Sequence, residues 1–358
     1  MKAFRLGIVE GFYGRPWSWE ERRAAARFMR TQDYSFYLYA PKGDFYLRRL
    51  WREAWPKEFF QSLKLMVEDF HSQSIEVGMG LSLHHFQQDT PEQALQAIRR
   101  KLREMESLGV DHVAILFDDM RGDLPDLAKR QIELVHAVKE FSPSLGLSMC
   151  PTYYSLDPLL DKLFGERPAS YLAELGEGLD PSIEIFWTGE KICSKSYSAE
   201  HLNETAKVLK RPVLLWDNYP VNDTENMSRF LHLRAFQNRP SQMREHLSGH
   251  LINPMLQATL SQIPMSTLTE SYRQGDHYQP EAAFLKACRS VLGEGLSDLV
   301  ERDISLFQDR GLHELSEDQK RQLGSDYQKY AEHLAAREVL GWLDGDYRVT
   351  REQILAQQ

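Results

Sequence analysis

The chain has few cysteines, no excess of positive charge and no long apolar run. Its 358 residues include three cysteines, Cys150, Cys193 and Cys288, which lie far apart in the sequence. Their odd number and wide spacing exclude a disulfide framework and a cysteine-based zinc motif, and they favour a reducing compartment. The formal net charge of -9 at pH 7 argues against nucleic acid or an anionic membrane as the main partner.

Signals for export and membrane insertion are also missing from the sequence. Residues 1–6 lack the apolar core of a secretory signal, and no later segment approaches the length of a membrane-spanning apolar helix. Hydrophobic residues make up 42% of the chain and charged residues 27%, which is typical of a soluble globular protein. We therefore expect a cytoplasmic protein that binds neither a membrane nor nucleic acid.

Short apolar segments, mostly separated by helix-like segments, recur along the first three quarters of the chain. The predicted strands are 6–9, 36–39, 76–80, 112–117, 145–150, 183–187, 213–216 and 250–252. Regular strand–helix alternation predicts a parallel sheet, and eight repeats over about 265 residues predict a closed (β/α)8 barrel. The competing fold is a doubly wound open sheet, which usually carries a glycine-rich phosphate turn after its first strand. The loop from Gly11 to Gly14 carries bulky aromatic residues instead.

The pattern changes near Pro280, after which no strand is predicted. Amphipathic helices are expected at 281–292, 296–309 and 316–342, and the last helix of the barrel at about 255–263. These boundaries predict a barrel over residues 1–275 and a C-terminal helical domain over residues 276–358. The sequence leaves the choice between a monomer and a homodimer open.

Polar and aromatic residues follow almost every predicted strand. In a barrel the carboxyl ends of the strands converge on one face, where the loops build the site. Aromatic rings with carboxylates, amides and one lysine indicate a pocket for a neutral, hydroxyl-rich ligand, whereas a phosphate site needs more Arg and Lys. A metal site needs several His or acidic ligands placed together. The residues concerned are Glu10-Gly11, Pro41-Lys42, Asp118-Asp119, Thr152 to Tyr154, Trp187-Thr188, Trp216 to Asn218, and Asn253.

Asp118 and Asp119 directly follow the fourth predicted strand. Neighbouring carboxylates in a half-buried site do not both ionise easily, so their pKa values are driven apart, as an acid/base pair requires. A second interpretation of the motif alone is that one of them caps the next helix. The adjacent pair His84-His85 follows the third strand, but two neighbouring side chains rarely bind one metal ion.

Several motifs, in this order along residues 5–275, resemble glycoside hydrolase family 84, the O-GlcNAcase and β-N-acetylglucosaminidase family, and its bacterial members in particular. Three come from the loops after the first two strands: VEGFYGRPW at 9–17, YLYAPK at 37–42 and WRE at 51–53. The others are FDD at 117–119, PTYY at 151–154, IFWTG at 185–189, WDNYPVND at 216–223 and NPM at 253–255. The barrel fold of that family agrees with the strand count.

The resemblance implies a retaining exo-β-N-acetylglucosaminidase that removes terminal β-linked GlcNAc from a glycoside or glycoprotein, with no cofactor and no metal. The 2-acetamido oxygen of the sugar would attack the anomeric carbon and form an oxazoline. Asp118 would accept the acetamido N–H, and Asp119 would act first as general acid and then as base. The resemblance also assigns substrate contacts to Gly11, Lys42, Tyr154, Trp216, Asn218, Asp223 and Asn253.

Among these, Tyr154 would position the acetamido group and Trp216 would form a wall of its pocket. Asn218 would hydrogen-bond near the paired aspartates. Asp223 and Asn253 would hold the distal hydroxyls of the sugar, and the Gly11 carbonyl and Lys42 would make further hydroxyl contacts.

The chain departs from the family pattern at three places around this site. Gly43 stands where the family usually has the first of two aspartates after the lysine, residues 81–85 replace a Ser-Pro-Gly segment, and Tyr153 replaces a Glu. These departures leave the aglycone open among glycoprotein, peptidoglycan fragment and oligosaccharide.

Two alternative functions stay open from the sequence. One is a GlcNAc-binding barrel without hydrolytic activity. The other is a metal-dependent barrel hydrolase that uses Asp118, Asp119 and His84. Turnover of an aryl β-GlcNAc substrate distinguishes an enzyme from a binding protein, and activity that survives EDTA removes the metal-dependent hydrolase.

Overall fold

Eight parallel strands close into a barrel in which sequence neighbours are spatial neighbours and the eighth strand pairs with the first. The computed structural model describes residues 4–84 and 91–357. The strands are β1 Arg5–Glu10, β2 Phe36–Tyr39, β3 Glu76–Leu81, β4 His112–Leu116, β5 Gly146–Cys150, β6 Glu184–Trp187, β7 Val213–Asp217 and β8 Leu247–Ile252. The predicted (β/α)8 barrel is confirmed, and the open sheet is wrong.

Helices follow the strands and then continue alone toward the C-terminus. Those of the barrel are α1 Trp19–Thr31, α2 Lys57–Ser72, α3 Pro91–Leu108, α4 Leu127–Phe141, α5 Pro158–Phe164, α6 Tyr171–Gly178, α7 Ala199–Leu209 and α8 Ala258–Gln274. The later ones are α9 Pro280–Leu292, α10 Glu294–Ser305, α11 Glu317–Gln328, α12 Leu334–Asp344 and α13 Arg351–Gln357. No helix within the described ranges is both long and apolar enough to cross a membrane.

Helix α8 runs well beyond the predicted end at residue 263, although Pro264 lies inside it. A proline inside a helix removes one hydrogen bond and costs about 3 kcal/mol. The helix continues because its apolar face, including Leu260, Ile263 and Leu268, is fully buried against the rest of the molecule. Burial of several such side chains, at roughly 1.5–3 kcal/mol each, outweighs the local defect.

The C-terminal segment is more broken than its periodicity predicts. The single helix expected at 316–342 is two helices, α11 and α12, because the side chain of His333 caps a new helix start by accepting the Ala335 N–H. Helices α5, α6 and α13 were not predicted. The first two are short and lie in the connection after β5, and α13 is largely exposed and lacks a buried apolar face.

The barrel interior is filled by apolar side chains that alternate along the strands, as expected when a parallel sheet closes on itself. They are Val9, Phe36, Leu38, Ala40, Ala114, Leu116, Cys150, Phe186, Leu214, Trp216 and Leu251. His112 lies at the amino end of β4, where its Nε2 is 2.9 Å from Ser148 Oγ. The opposite end of the strands is therefore the end that carries the acidic pair.

Candidate active site

A cavity of about 570 Å³ opens at the carboxyl ends of the barrel strands. Its lining residues lie at the carboxyl ends of seven of the eight strands or in the loops that follow them. The nine site residues predicted from the sequence all line this cavity: Gly11, Lys42, Asp118, Asp119, Tyr154, Trp216, Asn218, Asp223 and Asn253. We call this space the central cavity.

Asp118 and Asp119 lie on the floor of the central cavity, just after β4. Asp119 has a left-handed backbone with φ 61°, a conformation that Asp tolerates better than most residues and that is common at functional sites. Helix α4 begins only at Leu127, and its N-cap residue is Asp126. The helix-cap interpretation of the acidic pair is therefore wrong.

Lys42 joins the two carboxylates. It is 3% exposed, and its Nζ lies 2.5 Å from Asp118 Oδ2 and 3.2 Å from Asp119 Oδ2. Burial acts against the charge of Lys42, but the two carboxylates outweigh it and raise the pKa of this amine. A buried charge needs such partners, so the three groups form one unit.

The second oxygen of Asp118 is unpaired. Asp118 Oδ1 is buried and has no hydrogen-bond partner among the described residues. Leaving a buried acceptor unsatisfied costs roughly 1–3 kcal/mol, and natural proteins retain such groups mainly where a function requires them. Asp118 is therefore equipped to accept a hydrogen bond from a ligand.

Tyr13 is a site residue that the sequence did not single out. Its hydroxyl donates a hydrogen bond to Asp119 Oδ2, and its backbone N–H donates to Asp223 Oδ2 at 3.0 Å. The position of Tyr13 in a glycine- and aromatic-rich loop was the available signal, but the pattern does not show which carboxylate it contacts. Burial raises the pKa of the Tyr13 hydroxyl well above its usual value, as does the charge of Asp119.

The cations around Asp119 decide its protonation. Burial acts to raise the pKa of this carboxyl, but the charges of Lys42 and Arg48 and the hydrogen bonds from Tyr13 and Lys42 outweigh it and hold the pKa below its ordinary value. Asp119 is therefore a carboxylate at neutral pH in the ligand-free protein.

Trp216, Asn218 and Asn253 form one side of the central cavity. Trp216 Nε1 donates to Asn218 Oδ1 at 3.1 Å, and Asn253 Nδ2 donates to the same oxygen at 3.0 Å. Asn218 Nδ2 donates to the carbonyl of Ile192 at 2.9 Å, so both ends of this amide are engaged by its surroundings. A Cβ at Gly11 would lie 2.4 Å from the Trp216 ring, which explains why this position has no side chain.

The lining of the central cavity also includes exposed residues. It includes Cys193 from the loop after β6, and Leu159 and Leu163 from α5. Asp119 and Leu163 also line a second cavity of about 560 Å³, beside Arg121 and Asp123. Asp119 thus stands where the central cavity meets a second space.

The histidine pair lies only partly within the described residues. His84 is buried, and its carbonyl accepts a hydrogen bond from Trp51 Nε1 at 3.0 Å, whereas His85 lies outside the described residues. Across residues 4–84 and 91–357, no three His, Cys, Asp or Glu side chains are grouped as metal ligands would be.

Sequence relatives and solved structures resemble this chain over most of its length. Protein O-GlcNAcase of Rattus norvegicus is 30% identical over 286 residues, which cover 76% of this chain and 30% of that protein. The Mus musculus protein O-GlcNAcase is 29% identical over an equal length. This chain therefore spans about 30% of the length of these curated relatives. A solved mutant of the Thermobaculum terrenum O-GlcNAc hydrolase has a TM-score of 0.78 and 28% identity, covering 99% of this chain and 82% of that one.

The family comparison covers the barrel and part of the C-terminal helices. The family model described as NAGidase, β-N-acetylglucosaminidase, matches residues 6–305. That range contains all eight strands of the barrel except the first residue of β1, and every residue that lines the central cavity. The chain belongs to the β-N-acetylglucosaminidase family, glycoside hydrolase family 84.

Proposed function

We propose that the chain is a retaining exo-β-N-acetylglucosaminidase that hydrolyses terminal β-linked GlcNAc through an oxazoline intermediate. The observation that carries this proposal is the floor of the central cavity. There Asp118 and Asp119 share Lys42, and Asp118 keeps one buried oxygen unpaired. A pure sugar-binding protein would gain nothing from an acid for proton transfer beside the carboxylate that binds the acetamido group.

Asp118 orients the nucleophile of the substrate. Its unpaired Oδ1 accepts the acetamido N–H, which aims the acetamido oxygen at the anomeric carbon and stabilises the positive charge that develops on the amide. An intramolecular nucleophile held in this way can reach an effective molarity of ~10⁵–10⁸ M, so the protein need not supply a nucleophile. Trp216 and Tyr154, which line the same cavity, enclose the acetamido group.

Asp119 transfers the proton. The ligand-free protein holds this group as a carboxylate, which is the form that activates water in the second step. A bound sugar displaces water from the cavity and contacts Lys42, and both changes raise the pKa of Asp119 toward the protonated form that the first step needs. A positioned general acid contributes roughly 10²–10⁴-fold to the rate.

The surroundings of the acidic pair define the two ends of the substrate. Asp223, Asn253 and the loop at Gly11 line the central cavity and bind the hydroxyls of a single terminal sugar. The leaving group extends past Asp119 toward Leu163 and the second cavity. The proposed partner is therefore a GlcNAc-bearing glycoside or glycoprotein.

Substitution of the two aspartates tests the proposal with two substrates of different leaving group. For Asp119→Asn, kcat/KM for methyl β-GlcNAc should fall by roughly 10²–10⁴-fold, while a 2,4-dinitrophenyl glycoside, whose leaving group needs no proton, should keep most of its rate in the first step. For Asp118→Asn, both substrates should be impaired. Steady-state kinetics on the purified variants measures both effects.

Asp126→Asn is the matched control because Asp126 lies in the same loop, makes no side-chain cap hydrogen bond and has a backbone that Asn also tolerates. It should behave as wild type. Equal losses on both substrates in Asp119→Asn would show that the acid is misassigned. Cleavage of plain β-glucosides at a similar rate would overturn participation of the acetamido group, and absence of any turnover would favour the GlcNAc-binding protein.

A further inference from the structure

The last helix contacts the turn that follows the first strand. The side chain of Gln357 accepts the Gly14 N–H at 2.8 Å and donates to the Gly14 carbonyl at 2.9 Å. Gln357 therefore satisfies both backbone groups of one residue, as a neighbouring strand would. Gly14 has φ 93°, and a Cβ there would lie 2.8 Å from Val349 Cγ2, so the turn fits closely against this C-terminal segment.

The same residue also reaches the loop after β2. The backbone carbonyl of Gln357 accepts a hydrogen bond from Arg48 Nε at 2.9 Å. Arg48 is 2% exposed, and its guanidinium lies 6.0 Å from the ring centroid of Tyr13. A Cβ at Gly43, one of the departures from the family pattern, would lie 3.4 Å from Gln357 Nε2. Gln357 thus lies between the loops after β1 and β2.

Both loops also contact the acidic pair. Tyr13 precedes Gly14 directly and donates to Asp119 and Asp223, while Lys42 and Arg48 belong to the loop after β2. A hydrogen bond works only within a few tenths of an ångström and about 30° of its best geometry. A shift of the Gly14 turn would therefore move the Tyr13 hydroxyl off Asp119.

We infer that Gln357 is a positioning residue for the reaction, because it joins the Gly14 turn to Arg48 and so holds Tyr13 against Asp119. The inference rests on the proposed function, since it gives the last helix a part in the proton transfer by Asp119. Helix α13 has no buried residue, and Gln357 makes the side-chain and backbone hydrogen bonds that join its end to the loops after β1 and β2.

Kinetics of Gln357→Ala tests the inference. Loss of the Gln357 side-chain contacts should lower kcat/KM for methyl β-GlcNAc roughly three- to tenfold, which corresponds to about 0.6–1.4 kcal/mol of transition-state stabilisation. The 2,4-dinitrophenyl glycoside should change by less than about twofold, because its first step needs no proton from Asp119. Gln357→Glu keeps the acceptor for the Gly14 N–H and loses the donor to the Gly14 carbonyl. Its kcat/KM for methyl β-GlcNAc should therefore lie between those of the wild type and Gln357→Ala.

Leu355→Ala is the matched control, since Leu355 is on the same helix and 59% exposed. It should leave both substrates unchanged, and thermal unfolding should be the same in all variants. Equal losses on both substrates in Gln357→Ala, or no loss at all, would overturn the inference.

Amide hydrogen exchange separates this inference from the proposed function. Residues 11–17 should exchange faster in Gln357→Ala than in Leu355→Ala. If the wild-type protein hydrolyses neither glycoside, the proposed function fails, and unchanged exchange in the Gly14 turn would independently overturn the role of Gln357.

Discussion

Asp223 shows how burial changes the chemistry of one side chain. It lines the central cavity and accepts the Tyr13 N–H, which favours its charged form. Burial outweighs that hydrogen bond and raises the pKa of this carboxyl to about 6. A residue that ordinarily stays ionised down to pH 4 therefore changes charge near neutral pH in this site.

The raised pKa of Asp223 predicts that substrate binding weakens at acidic pH. Below pH 6 the carboxyl of Asp223 becomes protonated and loses part of its capacity to accept hydrogen bonds from sugar hydroxyls, so KM should rise as the pH falls through about 6. The pH dependence of kcat/KM and of KM for an aryl β-GlcNAc measures it.

Asp223→Asn supplies the comparison for that profile. This variant should bind substrate weakly at every pH and should lack the rise of KM near pH 6. A wild-type KM that stays constant from pH 5 to 7 would contradict the assignment of Asp223 as a hydroxyl acceptor.

Asp217 shows that neighbours within one motif can have different tasks. It stands between Trp216 and Asn218, yet it is fully buried and pairs with Arg239 at 2.8 and 2.9 Å and with His250 at 3.1 Å. Successive residues of a strand point to opposite faces, so Asp217 points away from the central cavity. Its task is to hold the loop that carries Ser194, whose carbonyl Arg239 also binds at 3.0 Å.

At the scale of elements, helix α8 depends on a residue from a distant helix. Glu338 of α12 is 5% exposed and accepts the N–H groups of Thr259 and Leu260 at 2.8 and 2.7 Å. These belong to the first turn of α8, whose N–H groups have no partner inside the helix. Its own N-cap residue, Gln257, makes no side-chain cap hydrogen bond, so Glu338 serves as the cap from outside.

Glu338→Ala should therefore destabilise the protein. Removal of this acceptor leaves two N–H groups without their partner and should lower the free energy of unfolding by roughly 1–3 kcal/mol. Urea denaturation measures the change. Glu332→Ala is the control, since the Glu332 side chain is fully exposed, and it should change stability little. Equal stability of the two variants would contradict the capping role.

The pH dependence of stability gives Glu338 a second readout. Burial raises its pKa to about 7, although the two N–H donors act in the opposite direction. The folded protein therefore keeps a proton that the unfolded chain releases, so the contribution of Glu338 to stability is greatest below about pH 4.5 and is lost as the pH rises through 7. Glu338→Gln should flatten this part of the stability profile.

At the scale of the whole molecule, the barrel and the C-terminal helices share one apolar core. Leu260 and Ile263 of α8 belong to the same buried cluster as Val339 and Trp342 of α12. We propose the division into a barrel of residues 1–275 and a helical domain of residues 276–358, with the second part needed for the stability of the first. Residues that pack across such a boundary unfold together.

Deletion of residues 276–358 should therefore leave the barrel unstable or insoluble, because it exposes the buried face of α8 and removes the Glu338 cap. Calorimetry of the full chain should show one cooperative transition. Deletion of residues 351–357 alone is the control, since α13 has no buried residue and its loss should leave the fold intact. A soluble fragment 1–275 with full activity would contradict the prediction.

The sequence by itself determined the fold class and the face of the barrel that carries the site. Strand and helix periodicities differ, and a parallel barrel places all strand ends on one face. Local patterns therefore indicated eight of the nine cavity residues, and the family resemblance added Asp223. The start of α1 also carries a local signal, a capping box in which Ser18 and Glu21 satisfy each other's backbone N–H groups.

Tertiary structure alone decided the contacts that carry no local pattern. The hydrogen bond from Tyr13 to Asp119 and those between Gln357 and Gly14 join residues far apart in the chain, and nothing in the neighbouring sequence specifies the partner. Likewise, the sequence does not show that Asp118 Oδ1 is left without a partner among the described residues. The passage of α8 through Pro264 has the same origin, because burial against distant helices outweighs the local preference.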